Sequence, residues 1–178
     1  IGCGNWGKNI ARNLHQMGFL ACIYDKNTSL SEKLSDEYNI PIFELNKIFE
    51  NKNINAIVIA SPAITHKDLA IHALENDKDV LIEKPFCLSL TDAQKLSVIA
   101  TNKNRILMVG HLLNYHNAFI KMKELLKNGK IGLLQNIRAN RLALGAIRSE
   151  ESVVYDLSAH DISMILSITE ELPNDVNV

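Results

Sequence analysis

The sequence begins with a glycine pattern that only a few backbone conformations accommodate. Gly2, Gly4 and Gly7 form G-x-G-x-x-G within the first seven residues. In a strand-to-helix turn, the first glycine permits the tight turn, the second lets the backbone approach a pyrophosphate, and the third lets the helix pack on the sheet. The pattern predicts a phosphate site at the N-terminus of a helix that begins near Gly7, with Asn5 and Trp6 in the same turn. An ordinary glycine-rich loop is the alternative at this point.

Apolar segments alternate with helical patterns from residue 1 to about residue 110. The continuous apolar runs are typical of parallel strands that are buried on both faces. This alternation predicts an α/β fold, a doubly wound parallel sheet that forms a Rossmann domain over residues 1–110. The predicted strands after the first turn are 19–24, 40–43, 56–60, 80–82 and 106–109, and the predicted helices are 7–18, 29–38, 45–49, 65–74 and 89–102.

The first strand of this domain is mostly missing from the sequence. The chain starts at Ile1, without a methionine, directly before the glycine turn. Such a turn follows a buried strand of about four to six apolar residues. We therefore expect the sequence to be a fragment of a longer protein.

Asp25 follows the second predicted strand directly, 18 residues after Gly7. A carboxylate at this place accepts both ribose hydroxyls of an adenosine and repels a 2′-phosphate. The position therefore predicts NAD as the cofactor, with NADP disfavoured, although Lys26 next to it weakens that preference. A plain turn residue is the alternative interpretation of Asp25.

Composition excludes several classes of partner. The net charge of -1 gives no electrostatic case for binding nucleic acid or an anionic membrane. No apolar run approaches the length of about 20 residues that spans a bilayer. No signal peptide is recognisable, so we expect a cytoplasmic protein. The cysteines, Cys3, Cys22 and Cys87, lack metal-ligand spacing and are predicted to be reduced core residues, and we expect no metal site.

Further motifs follow the other strands, where ligands bind in open α/β sheets. They are Ser61-Pro62 with His66, Glu83-Lys84-Pro85, and Gly110-His111, and a later helix carries Asp156-Leu157-Ser158-Ala159-His160. Together with the glycine turn, and in this order, they resemble the Gfo/Idh/MocA oxidoreductases, the relatives of glucose-fructose oxidoreductase and inositol dehydrogenase. The resemblance covers nearly the whole sequence. It implies that the cofactor is bound by the glycine turn, Asp25, Ser61, Pro62, His66, Glu83 and Lys84.

The resemblance also implies a second, C-terminal α/β domain on an open, mostly antiparallel sheet, of which residues 111–178 would be the beginning. We expect a helix at about 118–128, a strand at about 133–144 and a helix at about 153–168. Members of the family commonly assemble through this second sheet, so the parent protein is expected to be a homo-oligomer.

Three side chains are candidates for the chemistry of alcohol oxidation. His160 is the candidate base, because imidazole titrates near neutral pH. Asp156 lies four residues earlier on the same helix face and could orient that imidazole. Lys84 could donate to the substrate oxygen, and a cis Lys84–Pro85 bond would fix its direction. A surface hydrogen bond between Asp156 and His160, and a solvated Lys84, are the alternative interpretations.

Within the family, the segments around Gly110 and Asp156 resemble nucleotide-sugar dehydrogenases that oxidise the 3-hydroxyl of UDP-N-acetylglucosamine-type substrates. Ala159 and Asn117 replace prolines that are typical of such members. An inositol or free-sugar dehydrogenase is the alternative substrate class. A methyltransferase would not explain the Glu83 or Asp156 motifs, and a non-catalytic NAD-binding regulatory protein would be expected to lack Lys84 or His160. The candidate substrate-binding residues are His111, Tyr115, His116 and Arg148.

Overall fold

The structure is a computed structural model that describes residues 1–142, 152 and 154–177. The chain divides into two compact units, Ile1–Gly110 and His111–Val178. Among the described residues, no helix is both long enough and apolar enough to cross a membrane.

Three parallel strands form the sheet of the first unit. They are β1 (Ala56–Ile59), β2 (Asp79–Ile82) and β3 (Leu107–Val109), and they are adjacent in that order. Ile57 pairs with Val80, and Val80 pairs in turn with Leu107. The carboxyl ends of all three strands therefore lie at one edge of the sheet, as the sequence predicted for a doubly wound fold.

Shorter extended segments continue the sheet beyond β1. The amino group of Ile1 donates to the Val58 carbonyl at 2.8 Å, and the N–H of Gly2 donates to the Tyr24 carbonyl at 2.8 Å. Ile23 in turn forms a parallel bridge with Ile42. The spatial order is thus residue 42, residues 23–24, residues 1–2, β1, β2 and β3. This is the 3-2-1-4-5-6 order of dinucleotide-binding folds.

The predicted strands 19–24 and 40–43 are much shorter in the structure, where each is reduced to the single bridge between Ile23 and Ile42. A strand requires a continuous partner for its backbone N–H and C=O groups. Only Ile1 and Gly2 lie between these segments and β1, so most of their backbone has no ladder to join.

Five helices cover this sheet. They are α1 (Gly7–Gln16), α2 (Thr28–Tyr38), α3 (Leu45–Glu50), α4 (His66–Glu75) and α5 (Leu90–Lys103). Asn27 caps α2, and its side-chain oxygen accepts from both the N–H and the hydroxyl of Ser29. Ser89 caps α5 by accepting from the N–H of Asp92.

The main core lies where α4 and α5 pack against the sheet. Ile59, Leu74, Ile82 and Leu96 are each 0% exposed. Burying one such side chain stabilises the fold by about 1.5–3 kcal/mol. This core holds β1 and β2 side by side and thereby fixes the positions of the loops that follow them.

The second unit is helical over its described residues. Residues Leu112–Tyr115 form a 3-10 turn, followed by α6 (Asn117–Lys127), a π-helical turn at Val154–Ser158 and α7 (Ala159–Thr169). The predicted strand at 133–144 is wrong for residues 133–142, which form no strand, and its last two residues lie outside the described residues. The alternating pattern there finds no partner strand in the part of the second unit that the structure describes. The predicted helix at about 153–168 is present from Val154, with a π-helical first turn.

Replacing Leu96 by alanine should lower the free energy of unfolding by about 2–5 kcal/mol, because it removes buried methyl groups and leaves a cavity under α5. Leu90→Ala on the same helix is the matched control, since Leu90 is 75% exposed. Urea denaturation of both variants measures the difference. Equal losses of stability would show that Leu96 does not belong to the cooperative core.

Candidate active site

The glycine turn is packed so closely that two of its positions exclude a side chain. A Cβ on Gly7 would lie 2.0 Å from the carbonyl oxygen of Gly2. A Cβ on Gly2 would lie 2.6 Å from the Ser61 nitrogen, and Gly2 has a φ of +92°. At Gly4, by contrast, a Cβ would meet no atom within 4 Å. The turn is therefore tight toward the sheet and open at Gly4.

The open side of the turn offers backbone donors. Helix α1 begins with Lys8 N–H donating to the Gly4 carbonyl at 3.1 Å and Asn9 N–H donating to the Trp6 carbonyl at 2.9 Å. No hydrogen bond made among the described residues uses the N–H groups from Gly4 to Gly7. Unused N–H groups at a helix N-terminus favour an anion. The turn thus fits the pyrophosphate of a dinucleotide.

Asp25 lies beside this turn and is bound to it. Its Oδ2 accepts from the N–H of Cys3 at 2.6 Å, and its Oδ1 accepts from the N–H of Asn27 at 2.8 Å. Each carboxylate oxygen has two lone-pair sites, so each can accept one further bond from a ribose hydroxyl. Asp25 therefore also holds the glycine turn in place, a role that the sequence pattern did not reveal.

Glu83, at the end of β2, receives a hydrogen bond from the glycine turn. The indole Nε1 of Trp6 donates to its Oε1 at 2.7 Å, and the N–H of Lys84 donates to its Oε2 at 3.3 Å. Burial raises the pKa of Glu83, and the bond from Trp6 partly opposes that rise. Lys84 itself is half-buried, and the Lys84–Pro85 peptide bond is cis.

His66 is 1% exposed and connects two strand ends. Its Nδ1 lies 2.9 Å from the Pro85 carbonyl oxygen, and its Nε2 lies 2.9 Å from the Ser61 carbonyl oxygen. The Ser61 hydroxyl shares a 2.6 Å hydrogen bond with Thr65. The Pro62 carbonyl accepts from the N–H and the hydroxyl of Thr65. Ser61 and Pro62 are thus held against the start of α4.

In the second unit, two of the predicted site residues come together. His160 lies in the first turn of α7, and its ring meets that of His111 edge-on, with centroids 6.1 Å apart and an interplanar angle of 80°. Burial lowers the pKa of His111, which favours its neutral form. Asp156 lies in the π-helical turn just before α7, and such turns are frequent at functional sites.

The other candidate substrate residues are placed differently. Tyr115 ends the 3-10 turn and is 64% exposed. His116 caps α6, because its Nδ1 accepts from the N–H of Ala118 at 3.3 Å. Arg148 lies outside the described residues.

Asn114 was missed at the sequence level. Its Nδ2 donates to Ser163 at 3.4 Å, whereas its Oδ1 is buried and makes no hydrogen bond among the described residues. A buried amide with an unused acceptor is a candidate contact for a ligand hydroxyl. The sequence feature that could have indicated Asn114 is its position directly after the apolar pair Leu112-Leu113.

The described residues hold no cluster of ligating side chains that could bind a metal ion. Cys3, Cys22 and Cys87 are free thiols, and Cys3 and Cys87 are buried. Burial raises the pKa of Cys87 to about 11, which keeps this thiol protonated at neutral pH. Cys3 and Cys87 therefore lie in the core, as predicted, whereas Cys22 is only half-buried.

Residues 1–111 match the model of the Gfo/Idh/MocA family, which is described as an oxidoreductase family with an NAD-binding Rossmann fold. The chain belongs to this family. The resemblance predicted from the strand-end motifs is therefore confirmed, and a methyltransferase is excluded.

Similarity to individual Gfo/Idh/MocA proteins extends beyond the Rossmann domain. The chain is 29% identical over 178 residues to UDP-N-acetylglucosamine 3-dehydrogenase of Acidithiobacillus ferrooxidans, covering 99% of this chain and 55% of that protein. It is 28% identical over 190 residues to myo-inositol 2-dehydrogenase of Thermotoga maritima, covering 99% and 55%. It is 28% identical over 144 residues to 2,7-anhydro-N-acetylneuraminate hydratase of Escherichia coli (strain K12), covering 79% and 38%. The chain spans about half or less of the length of these curated relatives.

The two ends of the glycine turn should respond differently to alanine. Gly7→Ala should destabilise the protein, because its Cβ would collide with the Gly2 carbonyl 2.0 Å away. Gly4→Ala should leave the melting temperature nearly unchanged and weaken NAD binding at least about tenfold, because its Cβ would occupy the space open to the pyrophosphate. Thermal unfolding and calorimetric titration with NAD measure the two effects. Unchanged NAD affinity in Gly4→Ala would contradict a phosphate site at this turn.

Proposed function

We propose that this chain is part of an NAD-dependent dehydrogenase that transfers a hydride between a sugar or nucleotide-sugar hydroxyl and the nicotinamide. The observation that carries the proposal is the convergence of the glycine turn, Asp25 and Glu83-Lys84 at one edge of the sheet. In this proposal the first unit is the NAD-binding domain, and residues 111–178 begin the substrate domain.

The cofactor would be held by the glycine turn and the neighbouring strand ends. The free N–H groups from Gly4 to Gly7 would bind the pyrophosphate. The remaining lone pairs of Asp25 would accept the ribose hydroxyls, and the same charge would repel a 2′-phosphate, which favours NAD over NADP. Ser61, Pro62, His66 and Glu83 would shape the wall of the site.

A bound nicotinamide would supply the hydride acceptor, and the chain's own side chains would handle the proton. Lys84 would donate to the substrate oxygen and stabilise its developing negative charge. His160 would take the hydroxyl proton, and Asp156 would orient the imidazole. The neutral His111 beside His160 would let His160 become protonated without a neighbouring positive charge.

The preferred substrate class is a UDP-hexosamine, or its uronate, oxidised at C3. The similarity to UDP-N-acetylglucosamine 3-dehydrogenase over the whole chain supports it. The comparable similarity to myo-inositol 2-dehydrogenase, at 28% identity, supports inositol or a free sugar as the second candidate. Both candidates use the same chemistry at a secondary alcohol and therefore the same residues.

The test is NADH formation by the full-length parent protein, with NAD and a panel of UDP-hexosamines, their uronates, inositols and free sugars. A signal confined to UDP sugars is the expected result. A signal with inositol alone would reject UDP sugars as the substrate class, favour inositol, and leave the proposed mechanism unchanged. NAD binding without reduction by any panel member would reject the proposed substrates and favour a non-catalytic role.

Replacing Lys84 by alanine should lower kcat about 100-fold or more and leave the Kd for NAD unchanged, because the ammonium stabilises charge that develops only during reaction. Lys95→Ala is the matched control, since Lys95 is an exposed lysine on α5. Steady-state kinetics and calorimetric NAD titration separate the two effects. A weaker Kd with unchanged kcat would instead assign Lys84 to cofactor binding.

A further inference from the structure

We infer that Trp6 and Glu83 form a latch that fixes the glycine turn to the strand end carrying Lys84, so that both are positioning residues for cofactor binding. The latch is the hydrogen bond from Trp6 Nε1 to Glu83 Oε1, 2.7 Å long, between residues 77 apart in the sequence. The hydrogen bond between Trp6 and Glu83 does not depend on the proposed function, whereas its effect on NAD affinity does.

The Trp6 side chain does not cap helix α1, so its indole N–H can donate to Glu83. Trp6 occupies the N-cap position of α1, and its side chain makes no capping bond. The ring is 45% exposed, so it is not held by the core. Among the described residues, the indole N–H of Trp6 donates to Glu83.

The carboxylate of Glu83 lies against Gly110, a position without a side chain. A Cβ on Gly110, directly after β3, would lie 2.8 Å from Glu83 Oε1 and 3.0 Å from its Cδ. The carboxylate thus occupies the space that a larger residue would fill. Glu83 Oε2 also accepts from the N–H of Lys84. The carboxylate thus lies where the glycine turn, the end of β2 and the end of β3 come together.

The charge of Glu83 determines the strength of the latch. A hydrogen bond to an ionised acceptor is roughly twice as strong as a neutral one. Burial raises the pKa of this carboxyl, whereas Trp6, the N–H and ammonium of Lys84, and His66 lower it. Protonation of Glu83 should therefore weaken the latch at a pH above the ordinary value for glutamate.

The first experiment uses neither NAD nor substrate. Trp6 is the one tryptophan of the 178-residue chain, so its fluorescence reports directly on the glycine turn. We expect the emission to change in one step during acidification, at a pH above 4.5 and while circular dichroism shows the fold intact. Glu83→Gln should abolish the step, because the amide keeps an acceptor oxygen but does not ionise.

The matched control is Glu32→Gln, which removes an exposed carboxylate on α2 and should retain the step. A step that persists in Glu83→Gln, or that is absent from the unmodified protein, would overturn the latch. If Glu83→Gln does not fold, Gly110→Ala provides the second route, because its Cβ displaces the carboxylate and should shift Trp6 emission at neutral pH. Unchanged emission in that variant would also overturn the latch.

The second experiment measures NAD affinity in Trp6→Phe, Glu83→Gln and the double variant by calorimetry. Phenylalanine keeps an aromatic ring and removes the N–H. Each single variant should raise the Kd about tenfold, and the double variant should be no weaker than the singles, since both remove the same bond. Fully additive losses would show that the two residues act separately. A pH-dependent emission step without any NAD binding would instead retain the latch and reject the proposed function.

Discussion

The first unit depends on the close approach of helix α1 to the backbone of the turn before it. Gly7 lies so near the Gly2 carbonyl that a single added carbon would be 2.0 Å from it. This approach sets the start and direction of α1, and with them the positions of the free N–H groups. The bonds from Cys3 to Asp25 and from Trp6 to Glu83 both begin within this turn, so they depend on the same contact.

The strands of the sheet could be predicted from their apolar runs, although they are not buried on both faces as expected, since Ala56 and Met108 are exposed. The continuous apolar runs at 56–60, 80–82 and 106–109 give β1, β2 and β3, because each run lies beside another with which its backbone can pair in parallel. The runs at 19–24 and 40–43 carry the same signal but lack a long neighbouring strand. An apolar run favours a strand, whereas the length of that strand depends on pairing with distant residues.

The strand-end residues beside the glycine turn could be predicted from the sequence, but their hydrogen bonds could not. The rule that ligands bind at the carboxyl ends of parallel strands selects Asp25, Ser61 and Glu83 from the sequence alone. It does not state which donors these groups have already accepted. Asp25 binds the Cys3 N–H, and the two ring nitrogens of His66 face backbone carbonyls. Such contacts follow from backbone packing, which single-residue patterns do not encode.

The carboxylates of Asp25 and Glu83 therefore hold the glycine turn in place, although the free N–H groups of that turn favour an anion. Asp25 accepts from a backbone N–H of the turn, and Glu83 accepts from its indole. Because both negative charges are bound by donors of the turn, attraction for a pyrophosphate must come from the N-terminus of α1 and its free N–H groups. The hydrogen bonds to Asp25 and Glu83 thus fix the turn, while the N–H groups from Gly4 to Gly7 stay available to an anion.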